Sequence, residues 1–262
     1  MYGLGVNRLG VTKTSEAFEW EPTNLFANSE QGAWYDPSDL TTLFQNSNGT
    51  TAVAVGDPVG YIADKSGNTN HAIQATSDRR PVLREAGGLY YLEFDGANSC
   101  LATSAIDFSG GDQMSLSTGA RKEGSSNQMI AELSDNIANN AGTFRLFGNS
   151  TLWRYSSKGS SLVSGTASPY NAPVTSILTG TSDISADQLT IRVDGVDKES
   201  VTTNQGTGNY GNYVLNMGAR NNGAAQPLTG DIYGLIVRNV VSNAADIAST
   251  EAYLASKSGI TL

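Results

Sequence analysis

A chain of 262 residues with 39% hydrophobic and 16% charged residues is long enough for one large domain with a buried core and too apolar for disorder. Its formal net charge of −9 argues against nucleic-acid and anionic-membrane partners. The single cysteine, Cys100, excludes an intrachain disulfide and reads as a small buried residue. Twenty-nine glycines, with recurrent Ser, Thr and Asn, fit many short strands joined by tight turns rather than a helical bundle.

In chain order, residues 1–30 mix glycine, charge and scattered aromatics without a period. They read as an extended arm, with Tyr2, Phe18, Trp20 and Phe26 as candidates for docking onto a partner. The start of the chain lacks the apolar run of a signal peptide. A domain over 31–262 follows. Asp36-Pro37-Ser38-Asp39 can open a short helical turn with Leu40, Leu43 and Phe44 on one face. Asp64-Lys65-Ser66-Gly67-Asn68 is a polar turn. Leu89 to Phe94 reads as a strand, Met114 to Arg121 as a half-buried strand, and Met129 to Leu133 and Thr143 to Phe147 as two more. Between Trp153 and Ser168 the Ser-rich composition predicts a long surface connection. Val174 to Leu178 resumes the strand pattern. Gln188 to Val193 is the clearest strand, and Asp194-Gly195 fits a two-residue type I′ turn into a return strand, Val196 to Val201. Val214 to Gly218 follows, and then Gly230 to Val237, whose continuous apolar end marks a central strand. Asn243 caps a helix over Ala244 to Ser256, stopped by Gly259.

The ordered pieces Trp34-Tyr35-Asp36-Pro37-Ser38-Asp39, Asp64 to Ala72, Leu92-Glu93-Phe94-Asp95-Gly96, Leu189 to Gly195 and Gly230 to Val237 resemble a concanavalin A-like, laminin-G-like jelly-roll module. The version they resemble is the one carried by tailed-bacteriophage and prophage virion proteins, over about residues 33–262. The resemblance implies an all-β fold: a two-sheet antiparallel jelly-roll sandwich with an N-terminal arm and a short C-terminal helix. It also implies a non-enzymatic structural or adhesive component of a virion. Such a protein would be made in the host cytoplasm and docked on other virion proteins through residues 1–30, within a homo-oligomer. The alternative is a module that binds host-surface glycan.

The chemistry of single residues separates these from a third reading, a glycoside hydrolase. A retaining glycosidase needs two carboxyl groups about 5–5.5 Å apart. Glu93 and Asp95 share one strand face, but the glucanase pattern wants a further Glu where Asn98 stands, so a second catalytic carboxylate is missing. His71, the only histidine, reads as a surface or turn residue, and no nucleophile motif accompanies it. One Cys and one His cannot close a zinc site. No cofactor is called for. Laminin-G-like modules often carry Ca2+, and the oxygens of Asp64, Asn68, Asn70 and Asp95 are the candidates for it. Glycan recognition would use aromatic faces on loops, with Trp153, Tyr155, Tyr170, Tyr210 and Tyr213 as candidates.

Overall fold

The structure is a computed structural model that describes residues 20–262. Strand-forming segments follow in close succession: β1 (Gly32–Tyr35), β2 (Leu43–Phe44), β3 (Tyr61–Ile62), β4 (Ala72–Ile73), β5 (Val82–Ala86), β6 (Leu89–Asp95), β7 (Leu101–Asp107), β8 (Gln113–Lys122) and β9 (Gln128–Leu133). The second half contributes β10 (Thr143–Gly148), β11 (Trp153–Lys158), β12 (Leu162–Ala167), β13 (Val174–Asp183), β14 (Gln188–Val193), β15 (Val196–Val201), β16 (Asn212–Met217), β17 (Thr229–Arg238) and the one α-helix among the described residues, α1 (Ala244–Ser258). The strands form two antiparallel sheets. The first runs β15-β14-β13-β8-β17-β6-β5, with β1 also on β17, and the second runs β12-β11-β10-β9-β16-β7-β4-β3-β2. The sandwich and the C-terminal helix expected from the sequence are therefore present.

The core lies between the sheets because the inward positions alternate along each strand. Leu92 and Phe94 of β6, Met114 and Leu116 of β8, and Leu189, Ile191 and Val193 of β14 meet Leu101 of β7, Phe144 and Leu146 of β10, and Leu215 and Met217 of β16. Strand β17 has β8 along one edge, while β6 and β1 occupy the other edge in tandem, opposite Thr229 to Ile232 and Leu235 to Arg238 respectively. The centrality expected of this segment is borne out.

Met114 to Arg121 was expected to be half-buried, yet almost all of β8 is buried. The cause lies outside the sandwich. Helix α1 covers the outward face of the first sheet, setting Leu254 and Ala255 against Ile177 of β13. Beside it a 3-10 turn, Pro22–Phe26, packs Leu25 and Phe26 on Trp34 and Ile236. The helix is fixed at both ends as its sequence dictates. The Asn243 side chain accepts the Asp246 N–H at 2.9 Å, and Gly259 ends the helix at φ 69°. Midway, Tyr253 donates its hydroxyl proton to Asp36 Oδ2 at 2.7 Å, tying the helix to the turn that follows β1.

Two expectations need correction. Residues 153–168 are not a surface connection; they form the hairpin of β11 and β12. Trp153 and Tyr155 alternate inward, and the inward positions of β12 are Val163, Gly165 and Ala167, whose small side chains hide the period. Asp39 does open a short helical turn, but it lasts only from Leu40 to Thr42 before β2 begins. Leu40 is exposed and Leu43 is buried, so these residues do not share a face. The Asp194-Gly195 turn is as expected, with φ of 51° and 78°.

A polar seam locks the two sheets together inside the core. The Tyr155 hydroxyl lies 2.9 Å from Ser182 Oγ, which lies 2.6 Å from the Tyr210 hydroxyl, itself 2.7 Å from Ser157 Oγ. Gly180 of β13 leaves the space for the Tyr155 ring, because a Cβ there would stand 2.4 Å from ring carbons. Gly180→Ala is expected to cost about 2–3 kcal/mol by overpacking. Gly110→Ala, where nothing lies within 4 Å of the new Cβ, is expected to change stability by less than about 0.5 kcal/mol. Urea unfolding of the two variants checks the contrast.

Candidate functional site

Three of the five aromatics expected to face a glycan are inside the protein. Trp153, Tyr155 and Tyr210 are buried in the core, and their polar atoms serve the inter-sheet seam. The indole N–H of Trp153 donates to Ser176 Oγ at 3.3 Å. They lack free faces because each sits at an inward strand position or caps the core. Tyr170 and Tyr213 are half-buried and pack against the edge of the same core. The five do not converge on one outward surface.

Of the calcium candidates, Asp64 and Asp95 accept from protein donors, and Asn68 and Asn70 donate through their amide nitrogens. Asp64 Oδ1 accepts the N–H groups of Trp34 and Ser66 at 2.9 and 2.8 Å, and Oδ2 accepts Ser66 Oγ and the Asn70 N–H at 2.8 and 2.9 Å. The amide nitrogens of Asn68 and Asn70 donate to backbone carbonyls at Glu30 and Gly32. Asp95 Oδ1 accepts three backbone N–H groups of its own turn, at Ala97, Asn98 and Ser99. These residues fasten β1 and close turns. Among the described residues no group of three or more His, Cys, Asp and Glu side chains is placed to hold a metal ion. His71 accepts the Asp64 N–H at Nδ1, 3.0 Å, so it belongs to the same turn. Cys100 is buried beside Gln74, and burial pushes its thiol up to about 11.

Of the docking aromatics, Phe26 packs on Trp34 and Ile236 of its own sandwich, a correction to its expected role. Trp20 meets Tyr253 edge-on, ring centroids 6.4 Å apart. Tyr2 and Phe18 lie outside the described residues.

The feature that sequence reasoning missed is on the outward face of the first sheet, where α1 stops covering it. Here the register sets Val82 of β5, Glu93 of β6, Asp231 of β17 and Arg121 of β8 side by side. Of these, Val82, Glu93 and Asp231 line a cleft of about 350 Å³ together with Arg80, Asp95, Glu123 and Thr229, a size at the small end for ligand sites. Beyond its lining the rings of half-buried Tyr91 and buried Tyr233 pack 5.2 Å apart. Arg84 Nε holds Glu93 Oε2 at 2.7 Å, and Arg121 bonds Glu123.

Asp231 differs from its neighbours. It is only 5% exposed, and its nearest charged partner, Arg121, stands 3.5 Å away. Burial pushes its carboxyl up to about 6, against the pull of Arg121. A carboxyl so placed can accept from a ligand hydroxyl when ionised and donate to one when protonated. The only sequence signal for it was the Asp embedded in an otherwise apolar central strand, Gly230 to Val237.

No protein-family model matches this chain, and no curated protein matches it. Solved structures share its fold. The binding domain of botulinum neurotoxin serotype G is 14% identical with a TM-score of 0.57, over 74% of this chain and 49% of that one. The binding domain of Paraclostridial Mosquitocidal Protein 1 is 13% identical with a TM-score of 0.58, over 77% of this chain and 51% of that one. A structure describing cell entry of botulinum neurotoxin type C, dependent upon interaction with two ganglioside molecules, is 12% identical with a TM-score of 0.59, over 87% of this chain and 52% of that one. This chain thus matches about half the length of each. At such identities the likeness is one of fold.

The raised Asp231 carboxyl has a consequence for stability. Folded Asp231 keeps its proton up to about pH 6, whereas an unfolded aspartate releases it near 3.9. Between these values the folded state binds more protons, so this group's contribution to stability is present below about pH 4 and is lost as pH rises through 6. Asp231→Asn lacks that dependence. Its melting temperature relative to wild type is expected to rise from pH 4 to pH 7. A constant difference across that range would contradict the assignment.

Proposed function

We propose that this protein is a non-catalytic saccharide-recognition module that binds through the cleft over Asp231. The observation that carries the reading is the cleft itself: a row of carboxylates with Arg80 on an uncovered part of the sheet, with the half-buried Tyr91 two residues from Glu93 on the same strand face. Saccharides present apolar C–H faces and fans of hydroxyls. Aromatic ledges and mixed donors and acceptors complement both. The fold shared with toxin binding domains supports the same reading, since one of those toxins enters cells through gangliosides, although fold alone does not assign function. Binding is expected from glycan-array or calorimetric measurements on the intact chain. Tyr91→Ala and Asp231→Asn should each weaken it about tenfold or more, about 1.4 kcal/mol, without unfolding the protein. Equal binding by both variants, or no glycan bound at millimolar protein, would sink the proposal.

One observation favours hydrolysis as a second reading. The carboxylate missing at Asn98 has a counterpart in Asp231, directly opposite Glu93 on the neighbouring strand. An acid held up to about 6 next to a second carboxylate is the pairing that retaining glycosidases use. Glu93 is instead engaged by Arg84 on the open side of the sheet, and this favours binding over turnover. Hydrolysis of a bound glycan that disappears in Glu93→Gln would reverse the preference. A virion setting, with residues 1–30 as the docking arm, would now rest on residues before Trp20, since Pro22–Phe26 packs on the sandwich.

A further inference from the structure

The outward face of the second sheet carries a different arrangement, away from the cleft. Strand β10 presents Arg145 and Phe147 outward, and β11 presents Arg154 directly opposite Phe147 and Ser156 opposite Arg145. Strand β12 extends both rows with Thr166 beside Arg154 and Ser164 beside Ser156. The two guanidinium groups lie over the Phe147 ring, their central carbons 4.6 and 5.7 Å from its centroid. The ring is only 3% exposed because the arginines cover it. A guanidinium over an aromatic face is attracted by the ring and keeps N–H groups available to a ligand.

These two arginines differ from the others in the company they keep. Arg84, Arg121, Arg192, Arg220 and Arg238 each have a carboxylate within 4 Å, and Arg79 and Arg80 donate to backbone carbonyls. Among the described residues Arg145 and Arg154 have side-chain hydroxyls instead. Arg154 Nε donates to Thr166 Oγ1 at 3.0 Å, and Arg145 Nε reaches Ser156 Oγ only at 3.5 Å. Both nearby acids are committed elsewhere. Glu132 accepts the Ile137 N–H and Arg220 Nε, each at 2.7 Å, and is fully buried. Glu199 accepts the Thr166 N–H at 2.6 Å. Burial, with the neighbouring charges of Arg220 and Arg154, lowers the pKa of Arg145 despite the attraction of Glu132. Two half-buried like charges on adjacent strands, diagonal to one another, are unfavourable until an anion joins them.

We infer that Arg145 and Arg154, stacked on Phe147 and bordered by Ser156, Ser164 and Thr166, form a second site that takes a saccharide carrying a carboxylate or sulfate group. The guanidinium edges receive the anionic group, and the half-buried Ser164 and Thr166 beside them address the sugar's own hydroxyls, while buried Ser156 holds Ser164 in place. A nucleic-acid phosphate fits less well, because the chain is acidic overall at −9 and two arginines make a point rather than a track. The inference rests on the saccharide reading but not on the cleft.

Calorimetric titration of the full chain tests it. The probes are glucuronic acid and galactose 6-sulfate, with glucose and galactose as neutral controls, and inorganic sulfate and a single-stranded oligonucleotide as anion controls. The two acidic sugars are expected to bind more tightly than the neutral ones in a salt-sensitive manner. Arg154→Gln and Arg145→Gln should each weaken that binding about tenfold or more, while Arg79→Gln, which removes one charge elsewhere, should not. The arginine Nε–Hε signals of the wild-type protein supply the same answer if Arg145→Gln fails to fold: those of Arg145 and Arg154 should shift with acidic sugars. A preference for the carboxylated over the sulfated probe, or the reverse, names the group. Four outcomes would each overturn the inference. These are no preference over neutral sugars, inorganic sulfate or oligonucleotide bound as tightly as the acidic sugars, variants that bind like wild type, or neutral-sugar binding at the cleft with no acidic-sugar binding.

Discussion

Strand β17 is the constraint on which the rest of this structure depends. Both its edges are paired, its inward face fills the core and most of its outward face is covered. Inward, Ile232, Leu235 and Val237 enter the core. Outward, the covering changes along the strand. The Pro22–Phe26 turn lies on Ile236, Leu254 of the helix stands over Gly234, Tyr91 packs on Tyr233, and the open cleft begins at Asp231. The site is where the covering runs out. A carboxylate is tolerable there because it has an arginine to one side and the cleft opening to the other, whereas under α1 it would be stranded.

The same logic explains the burial of the second sheet's aromatics. Trp153 and Tyr155 are large and carry polar atoms, so their burial demands partners. Ser176 and Ser182 supply them from the facing sheet, and Tyr210 joins the same chain of hydroxyls. These contacts align the two sheets in a way that apolar packing alone would not. Lys122 takes part as well. It is buried over the Trp153 ring and donates to the Leu152 carbonyl at 2.6 Å, and burial lowers its ammonium to about 8.

Much of the fold was legible because strands with one period and one turn type announce themselves. Gln188 to Val201 carried both the alternation and the Asp194-Gly195 pair, and Asn243 and Gly259 bracketed the helix. What failed to show was anything dependent on a neighbour distant in sequence. Nothing local in β8 says that a helix from the C-terminus will cover its outer face. The β11–β12 hairpin was hidden because serines occupy strand positions whose partners are small. The site was illegible for the same reason. Glu93 was visible, but its companion Asp231 lies on a strand far along the chain and meets it only through the register of β6 on β17. The aromatics that composition pointed to, Trp153, Tyr155 and Tyr210, went inward because size and strand parity outweigh the polarity of the surrounding loops.

The two outward faces thus differ in how their charges are paired. The first sheet offers carboxylates beside tyrosines at the end of its helix cover, and the second offers arginines on a phenylalanine. The central claim concerns the first: the end of β17 beyond the helix is the ligand-facing part of the molecule. Amide chemical-shift mapping during titration with methyl α-mannoside, galactose and N-acetylglucosamine tests it most directly. The account predicts shifts concentrated at Tyr91 to Asp95, Arg121 to Glu123 and Thr229 to Tyr233 for at least one of these sugars. Shifts confined to other surfaces, or none from any of the three at high millimolar concentration, would contradict it.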